Sequence, residues 1–524
     1  MIGRRGTPTL ERSRRGWFAR RHQSDWLAAL VVLLLAAGAL VLWLLPRGDG
    51  GQAGPTAADV LRFHSQPRLD PDRVSVVVPA RGRTAPGYVF LAVKRGPGQD
   101  GPQIVDDRGH VVWFRPTPPG MAATGFRVQR YRGQPVLTWW QGHTRFGHGL
   151  GEYVILDRHY RTVAVVRAGH GYMGDHHEFQ LTPRGTAYMS VYAPRRADLT
   201  SVGGPRHGTI FESIVQEVDV ATGRVVWEWH SADHLPVSEG VTPPKAGRPH
   251  DYFHVNSVDE DAHGDLLISA RNMHALYAIS KRTGRVLWRL GGEQSDFRFA
   301  PGADFAFQHD AEWLQGGANS RTATISLFDN EATPRQADQS RGLVLRLDLR
   351  ARTARLVRQY RHPDKLLAGA EGNVQTLPDG HVFVGWGPQR HVSEFSRNGR
   401  LLFDLVVPPR SDSYQAFRYP WHGQPLDRPA LAARRDGSGA HARVTAWASW
   451  NGATAVRGWQ LLAGDAPDAL APLGDPVSRR NFETTLHART GARYVAVAAL
   501  DAHGRQLGRS RPVAPAPVPV PAPR

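Results

Sequence analysis

The 524-residue sequence contains no cysteine, which removes disulfide frameworks, thiolate zinc sites, iron–sulfur clusters and cysteine nucleophiles together. Lysine is nearly absent, so the formal charge of +18 is carried by arginine. Such a charge invites a nucleic-acid reading. Part of the excess, however, sits at the very start (Arg4, Arg5, Arg12, Arg14, Arg15, Arg20, Arg21), and the rest is scattered with no basic helix or aromatic-interleaved stripe. Nucleic acid is therefore not an expected partner. The 41% apolar and 21% charged content excludes a mainly disordered or collagen-like chain. The generous glycine and proline, spread along the sequence, favour many turns and short strands over long helices. A chain of this length exceeds one compact core, so two or three folded units are expected.

Residues 26–45 carry no charge. At helical rise, about twenty such residues span a hydrocarbon core. Trp26 and Trp43 stand at the two ends, where interfacial aromatics belong, and the arginines lie on the N-terminal side alone. The expected topology is a cytoplasmic tail over 1–25, a transmembrane helix over 26–45, a linker over 46–65 that is flexible from Gly48 to Pro55, and an extracytoplasmic remainder. A cleaved signal peptide is the rival, against which stand the length of the run and the lack of small residues near Pro46. Ser13-Arg14-Arg15 hints at twin-arginine export, but Gly16-Trp17-Phe18 fits that motif poorly.

One hairpin pattern recurs six times: an apolar residue, a polar turn usually with Gly, then two apolar residues and often Trp. It occupies residues 104–113, 218–227 and 279–288, with weaker copies at 156–163, 347–356 and 395–403. Intervals of roughly 50–70 residues match a four-stranded propeller blade with its loops. The expectation is an all-β chain built on a six-bladed β-propeller over 66–428. A second motif marks strand starts, at His177-Glu178-Phe179, His254-Val255-Asn256 and His309-Asp310-Ala311, with Asn373 in the fourth instance. Strand starts at one rim of a propeller converge on its axis, so these residues can share a pocket. Beyond lie an expected spacer at 429–440, a fibronectin-like β-sandwich at 441–512 and a Pro/Ala-rich disordered tail at 513–524.

Four stretches occur in order: residues 250–258, opening on His250-Asp251-Tyr252-Phe253-His254; then Leu267-Ile268-Ser269-Ala270-Arg271-Asn272; then Trp288-Arg289-Leu290-Gly291-Gly292; then Phe307-Gln308-His309-Asp310-Ala311. Together they resemble bacterial arylsulfate sulfotransferases, and more closely the actinobacterial-type branch of the arylsulfotransferase-like family. The resemblance implies a six-bladed propeller and transfer of a sulfuryl group from a phenolic sulfate donor to a phenol acceptor, without a nucleotide sulfate. It places the transiently sulfated histidine at His309 and sulfate-binding groups at His254 and Arg271. A further match falls on His177, although His176 is adjacent. No metal or organic cofactor is implied. The enterobacterial type has an extra N-terminal β-domain and a disulfide, whereas this chain has neither room before the first hairpin nor any Cys, which leaves substrate and retention of activity open.

The chemistry agrees with that set. Sulfuryl transfer needs a nucleophile that can leave again, which neutral imidazole satisfies. Cationic donors must meet the oxygens in flight, for which Arg271 and protonated His254 and His177 are suited. Other readings stand beside it. A histidine at a strand start can simply bridge neighbouring sheets, and Arg271 can bond backbone carbonyls. Three inward histidines can bind zinc or copper, although Arg271 in the same pocket repels a metal. His143 and His148, beside Trp139 and Trp140, either line an aromatic pocket mouth or flank inter-sheet packing. Quinoprotein dehydrogenases share the hairpin but bind a quinone through Ca2+ and an acidic pair. The non-enzymatic alternative is a membrane-tethered propeller that serves as a binding scaffold.

Overall fold

Turn chemistry forms the hairpins. In five of the six, a side chain at the opening of the turn accepts the turn's own N–H groups. Asp106 takes those of Arg108 and His110 at 2.8 and 2.9 Å, and Asp157 those of His159 and Arg161 at 2.8 and 3.0 Å. Asp219 accepts from Thr222 at 2.8 Å, Asp348 from Ala351 at 2.8 Å and Ser396 from Arg400 at 3.1 Å.

The structure is a computed structural model that describes residues 54–517. The apolar run 26–45 lies outside the described residues, among which no helix is long and apolar enough to cross a membrane. Every helix there is a short 3-10 turn, and strands make up the rest of the regular structure.

Each hairpin is the outer pair of a four-stranded antiparallel sheet. The first sheet joins Ala416–Tyr419 to Tyr88–Val93, Gly101–Val105 and Val111–Phe114, so two distant parts of the chain close the ring within one sheet. The second runs from Ala122–Tyr131 to Thr162–Val166, the third from Phe179–Leu181 to Val225–His230, and the fourth from Val255–Glu260 to Val286–Gly291. The fifth runs from His309–Gln315 to Thr353–Tyr360 and the sixth from Asn373–Thr376 to Leu401–Val406. Ser75–Val78 adds to the outer edge of the sixth. The hairpin tryptophans reach across to the following sheet: Trp227 donates to Lys281 O at 2.9 Å, Trp229 to Gly284 O at 3.0 Å and Trp288 to Ala318 O at 2.9 Å. The sixth sheet shares a core with the first through Phe383, Phe403, Val89 and Leu91. The result is a closed, propeller-like ring.

Two more sheets form a sandwich around Val444, Ala446, Trp459, Leu461, Leu486 and Val497. Three expectations are corrected here. Most of the supposed spacer is a strand, Ala430–Asp436, paired with Arg443–Ser449 along seven residues. The end of the supposed linker is fixed: Leu61 and Phe63 pack with Phe114 and Phe482, and Ser65 donates to Glu483. The described part of the supposed tail, residues 513–517, enters the sandwich, Val513 bridging Val495 and Ala516–Pro517 running beside Ala430–Asp436. In each case pairing with a distant segment satisfies backbone groups that local composition would leave to water.

The sandwich is tied to the outer edge of the first sheet. Asn451 accepts from Phe114 N at 3.0 Å and donates to Phe114 O at 2.8 Å, while Gly452 N donates to Val112 O at 2.9 Å. Gly452 has φ +87°, and a Cβ there would sit 2.4 Å from the Tyr160 ring. Gly452→Ala should therefore destabilise the protein by at least about 1 kcal/mol, read as a lower denaturant midpoint.

Candidate functional site

His177, His254, His309 and Asn373 all stand at the start of an innermost strand, in the third to sixth sheets. The first two rings lie 4.7 Å apart, centroid to centroid. Arg271 follows the strand paired with Val255–Glu260, and its N–H bonds the His254 carbonyl at 2.9 Å. That antiparallel register is why seventeen residues of separation become adjacency. His254 holds φ +59° and Phe307 +56°, backbone strain of the kind that gathers at functional sites.

His309 is 2% exposed. Its Nδ1 lies 2.7 Å from Asn330 Oδ1, and the Asn330 amide nitrogen is spent on the carbonyls of Ala368 and Glu371, both at 3.0 Å. This network assigns the proton to Nδ1 and leaves a lone pair on Nε2, which accepts the Glu371 N–H at 3.2 Å. Burial, with the charge of Arg271 added, holds the His309 pKa well below its ordinary value, so the imidazole is neutral.

Arg271 spends two nitrogens on Asn272 Oδ1 at 2.8 Å and Gly369 O at 2.9 Å, and lies over the Phe307 ring. Its Nε is buried with no partner among the described residues. The carbonyl-bonding alternative is thus realised in part, with one donor left over.

The histidines beside it form pairs with aspartates. Asp175 accepts from the backbone N of His177 and takes Nδ1 of its ring. Asp251 Oδ2 lies 2.5 Å from His254 Nδ1 and 3.0 Å from His148 Nε2. Burial alone would raise the Asp251 carboxyl, but His254 and His148 outweigh it and keep it ionised. For His148 the Asp251 contact overcomes burial and raises the pKa. Burial wins at His254, His177 and His176, all lowered. The expectation of protonated His254 and His177 is therefore corrected: each is neutral, gives Nδ1–H to its aspartate and presents a basic Nε2.

Several participants escaped the sequence reading. Asp175 and Asp251 stand two and three residues before their histidines, a signal that was visible. His148 packs on Tyr192, Phe211 and His254, whereas His143 is exposed. Trp139 and Trp140 fill the inter-sheet cores. Tyr414, 1% exposed, faces His176, His177 and His309 with ring centroids 5.3, 5.6 and 6.3 Å away. Its hydroxyl has no partner among the described residues, and burial keeps it protonated. Two of the four triads with metal-ligand spacing among the described residues lie here, His148–Asp251–His254 and Asp175–His176–His177. In both, the carboxylate is already engaged by imidazole. Beside Tyr192 opens a cavity of about 570 Å³ walled by Leu150, Tyr172, Met173 and Pro194 on its apolar part and by Arg195, Glu212, His230 and Asp233 on the rest, large enough for an aromatic ring.

If Arg271 helps depress His309, Arg271→Ala should move the His309 titration up towards about 6.5. Histidine NMR across pH 4–8 on both chains reads this directly; an unmoved value would leave burial as the whole cause.

No curated protein matches the chain. Similar solved structures include a Bacteroides caccae protein of unknown function, at 12% identity and TM-score 0.38, with 63% of this chain and 98% of that one covered. A virginiamycin B lyase from Staphylococcus aureus is similar at 9% identity and TM-score 0.28, covering 75% and 94%. A Lactobacillus plantarum protein stands at 11% identity and TM-score 0.32, covering 76% and 99%. The family model described as "Arylsulfotransferase (ASST)" matches residues 127–407, a span that runs from the second sheet through the sixth and holds His148, His177, His254, Arg271 and His309. With more than half of its length so matched, the chain belongs to the arylsulfotransferase family.

Proposed function

We propose that the six sheets are the blades of one propeller whose rim transfers a sulfuryl group from a phenolic sulfate ester to a phenol through a sulfated His309. The observation that carries this reading is a buried, neutral imidazole within reach of the Arg271 charge and joined through the Tyr414 ring to His177, which itself contacts His254, each of those two paired with an aspartate. Nε2 of His309 gives up the Glu371 N–H bond and attacks sulfur, the S–O bond to the phenol breaks and phenolate leaves. Arg271, through its uncommitted Nε–H, and the Tyr414 hydroxyl meet the sulfuryl oxygens. In the second half, the acceptor phenol gives its proton to Nε2 of His254, whose growing charge Asp251 stabilises, and its oxygen takes the sulfuryl group as the N–S bond breaks. The cavity beside Tyr192 receives the aryl group. The apolar run 26–45 anchors the chain with the propeller outside the membrane, a proposal supported by its one-sided arginines.

With an aryl sulfate and no acceptor, the protein should release one equivalent of phenol and retain a sulfuryl group on His309, located by mass analysis. His309→Asn keeps the size but lacks the basic nitrogen and should abolish burst and turnover. Normal turnover by that variant, or a label elsewhere, would remove His309 from the mechanism. A folded wild type inert to a broad panel of aryl sulfates would favour the scaffold alternative.

Tyr414→Phe separates catalysis from stability. Because the hydroxyl bonds nothing among the described residues, its loss should leave the melting temperature unchanged or higher, while transfer falls by about 10²-fold. Unchanged transfer would show that the hydroxyl meets no reacting oxygen.

A further inference from the structure

Away from that rim, the seam between the first sheet and the sandwich holds a cavity of about 230 Å³ lined by Arg108, Arg457, Arg479 and Arg480. A neighbouring cavity of about 390 Å³ shares Arg108 and adds Arg62 and Arg73. Each carries one carboxylate lining residue, and both are already engaged. Asp106 takes the N–H groups of Arg108 and His110, with the His110 ring nitrogen 3.3 Å away, and Glu483 takes the N–H groups of His64 and Ser65 and the Ser65 hydroxyl.

The guanidinium groups have no such partners. Arg457 is held by the carbonyls of Thr454 and Val456 at 2.7 and 3.1 Å, and Arg479 by those of Ala453 and Asn481 at 2.8 and 3.2 Å. Carbonyls fix a guanidinium in place without neutralising it. The side chains of Arg108 and Arg480 have no partner among the described residues. Burial lowers the Arg479 pKa, and the charge of Arg457 lies close enough to act in the same direction, against Tyr88 and Asp106. Four cations around one occupied carboxylate make a cleft that focuses positive potential, and planar guanidinium forks match tetrahedral oxyanions. The walls are preformed: the Gly452–Val112 and Asn451–Phe114 bonds fix one side to the other.

We propose that this cleft is an oxyanion-binding site for sulfate or phosphate, free or as a monoester. It is separate from the rim and does not depend on the sulfuryl-transfer reading.

The test is calorimetric titration of the full chain with inorganic sulfate, inorganic phosphate and phenyl phosphate, ionic strength being held constant with chloride. Because Arg271 offers a second place for an oxyanion, the titrations use an Arg271→Ala background. Saturable binding is expected there, weakened about tenfold or more in R108Q/R480Q, whose altered side chains bond nothing in the protein. Arg457→Gln should act in the same direction. Sulfuryl transfer by R108Q/R480Q with Arg271 intact should match the wild type. Tighter binding of phenyl phosphate than of phosphate would assign the monoester; equal binding would assign the free ion. Absence of saturable binding over chloride, or binding undiminished in both variants, overturns the proposal.

Discussion

Side chains that reach from the start of one innermost strand to the backbone of the next hold the rim together. Thr124 donates to His176 O at 3.0 Å, Glu178 accepts from Val258 N at 3.1 Å and Asn256 donates to Gln308 O at 2.7 Å. Asp310 accepts from Val374 N at 3.0 Å, and Asn373 spans both the N–H and the carbonyl of Ala416. Five of the six joints between sheets are latched in this way, next to the residues of the candidate site. The latches satisfy buried polar groups that would otherwise cost more than the bonds return. They also hold the left-handed backbone of His254, Phe307 and Asp310, conformations that persist only when the surroundings over-determine them. A site spread over four sheets keeps its geometry because the sheets cannot slide.

Beneath the rim the same latches organise charge. Arg127 pairs with Glu178 at 2.6 Å, with Asp259, Asp310 and Glu312 nearby. Burial pushes the Asp310 carboxyl up to about 7 and that of Asp259 to about 6. Asp310 follows His309 in sequence, yet its oxygens are turned to Val374 N and the Gln415 amide, not to the imidazole. His309 is oriented instead by Asn330, an uncharged amide. An aspartate in that place would favour the imidazolium and withdraw the lone pair. The choice of Asn at one side of the nucleophile candidate and Asp beside its neighbours separates the two kinds of imidazole.

The outer hairpins and the strand-start histidines were legible in the sequence because both are local: turn side chains bond turn N–H groups within a few residues, and the pattern repeats. Asp251 and Asp175 were equally local and were overlooked as pairing partners. Tyr414 carries no such signal, since it reaches the site only when Ala416–Tyr419 completes the first sheet some 320 residues after Tyr88–Val93 began it. Strand Ala430–Asp436 was hidden for a different reason. Arg434, Arg435 and Asp436 look like a solvated spacer, and the strand is only partly buried; its pairing with Arg443–Ser449 and Ala516–Pro517, rather than an alternating apolar face, makes it a strand.

The protonation pattern bears on how such a site could turn over. An aryl sulfate carries one negative charge, and Arg271 supplies one fixed positive charge near His309. Had His254 and His177 also been protonated, the pocket would hold two more positive charges than the neutral pairs give it. The added attraction would bind substrate and product as firmly as the transition state, and interactions equal in both do not accelerate transfer. A second cation also disfavours protonation of any neighbour, yet it offers no base for the acceptor phenol. Neutral His–Asp pairs avoid both problems. Each keeps a lone pair ready for a phenolic proton, and each aspartate becomes a counter-charge at the moment the proton arrives. His148, which bonds the same Asp251 oxygen, limits how strongly that carboxylate can hold the proton on His254, so the proton can pass on to water before the next donor arrives and the pocket returns to its starting charge.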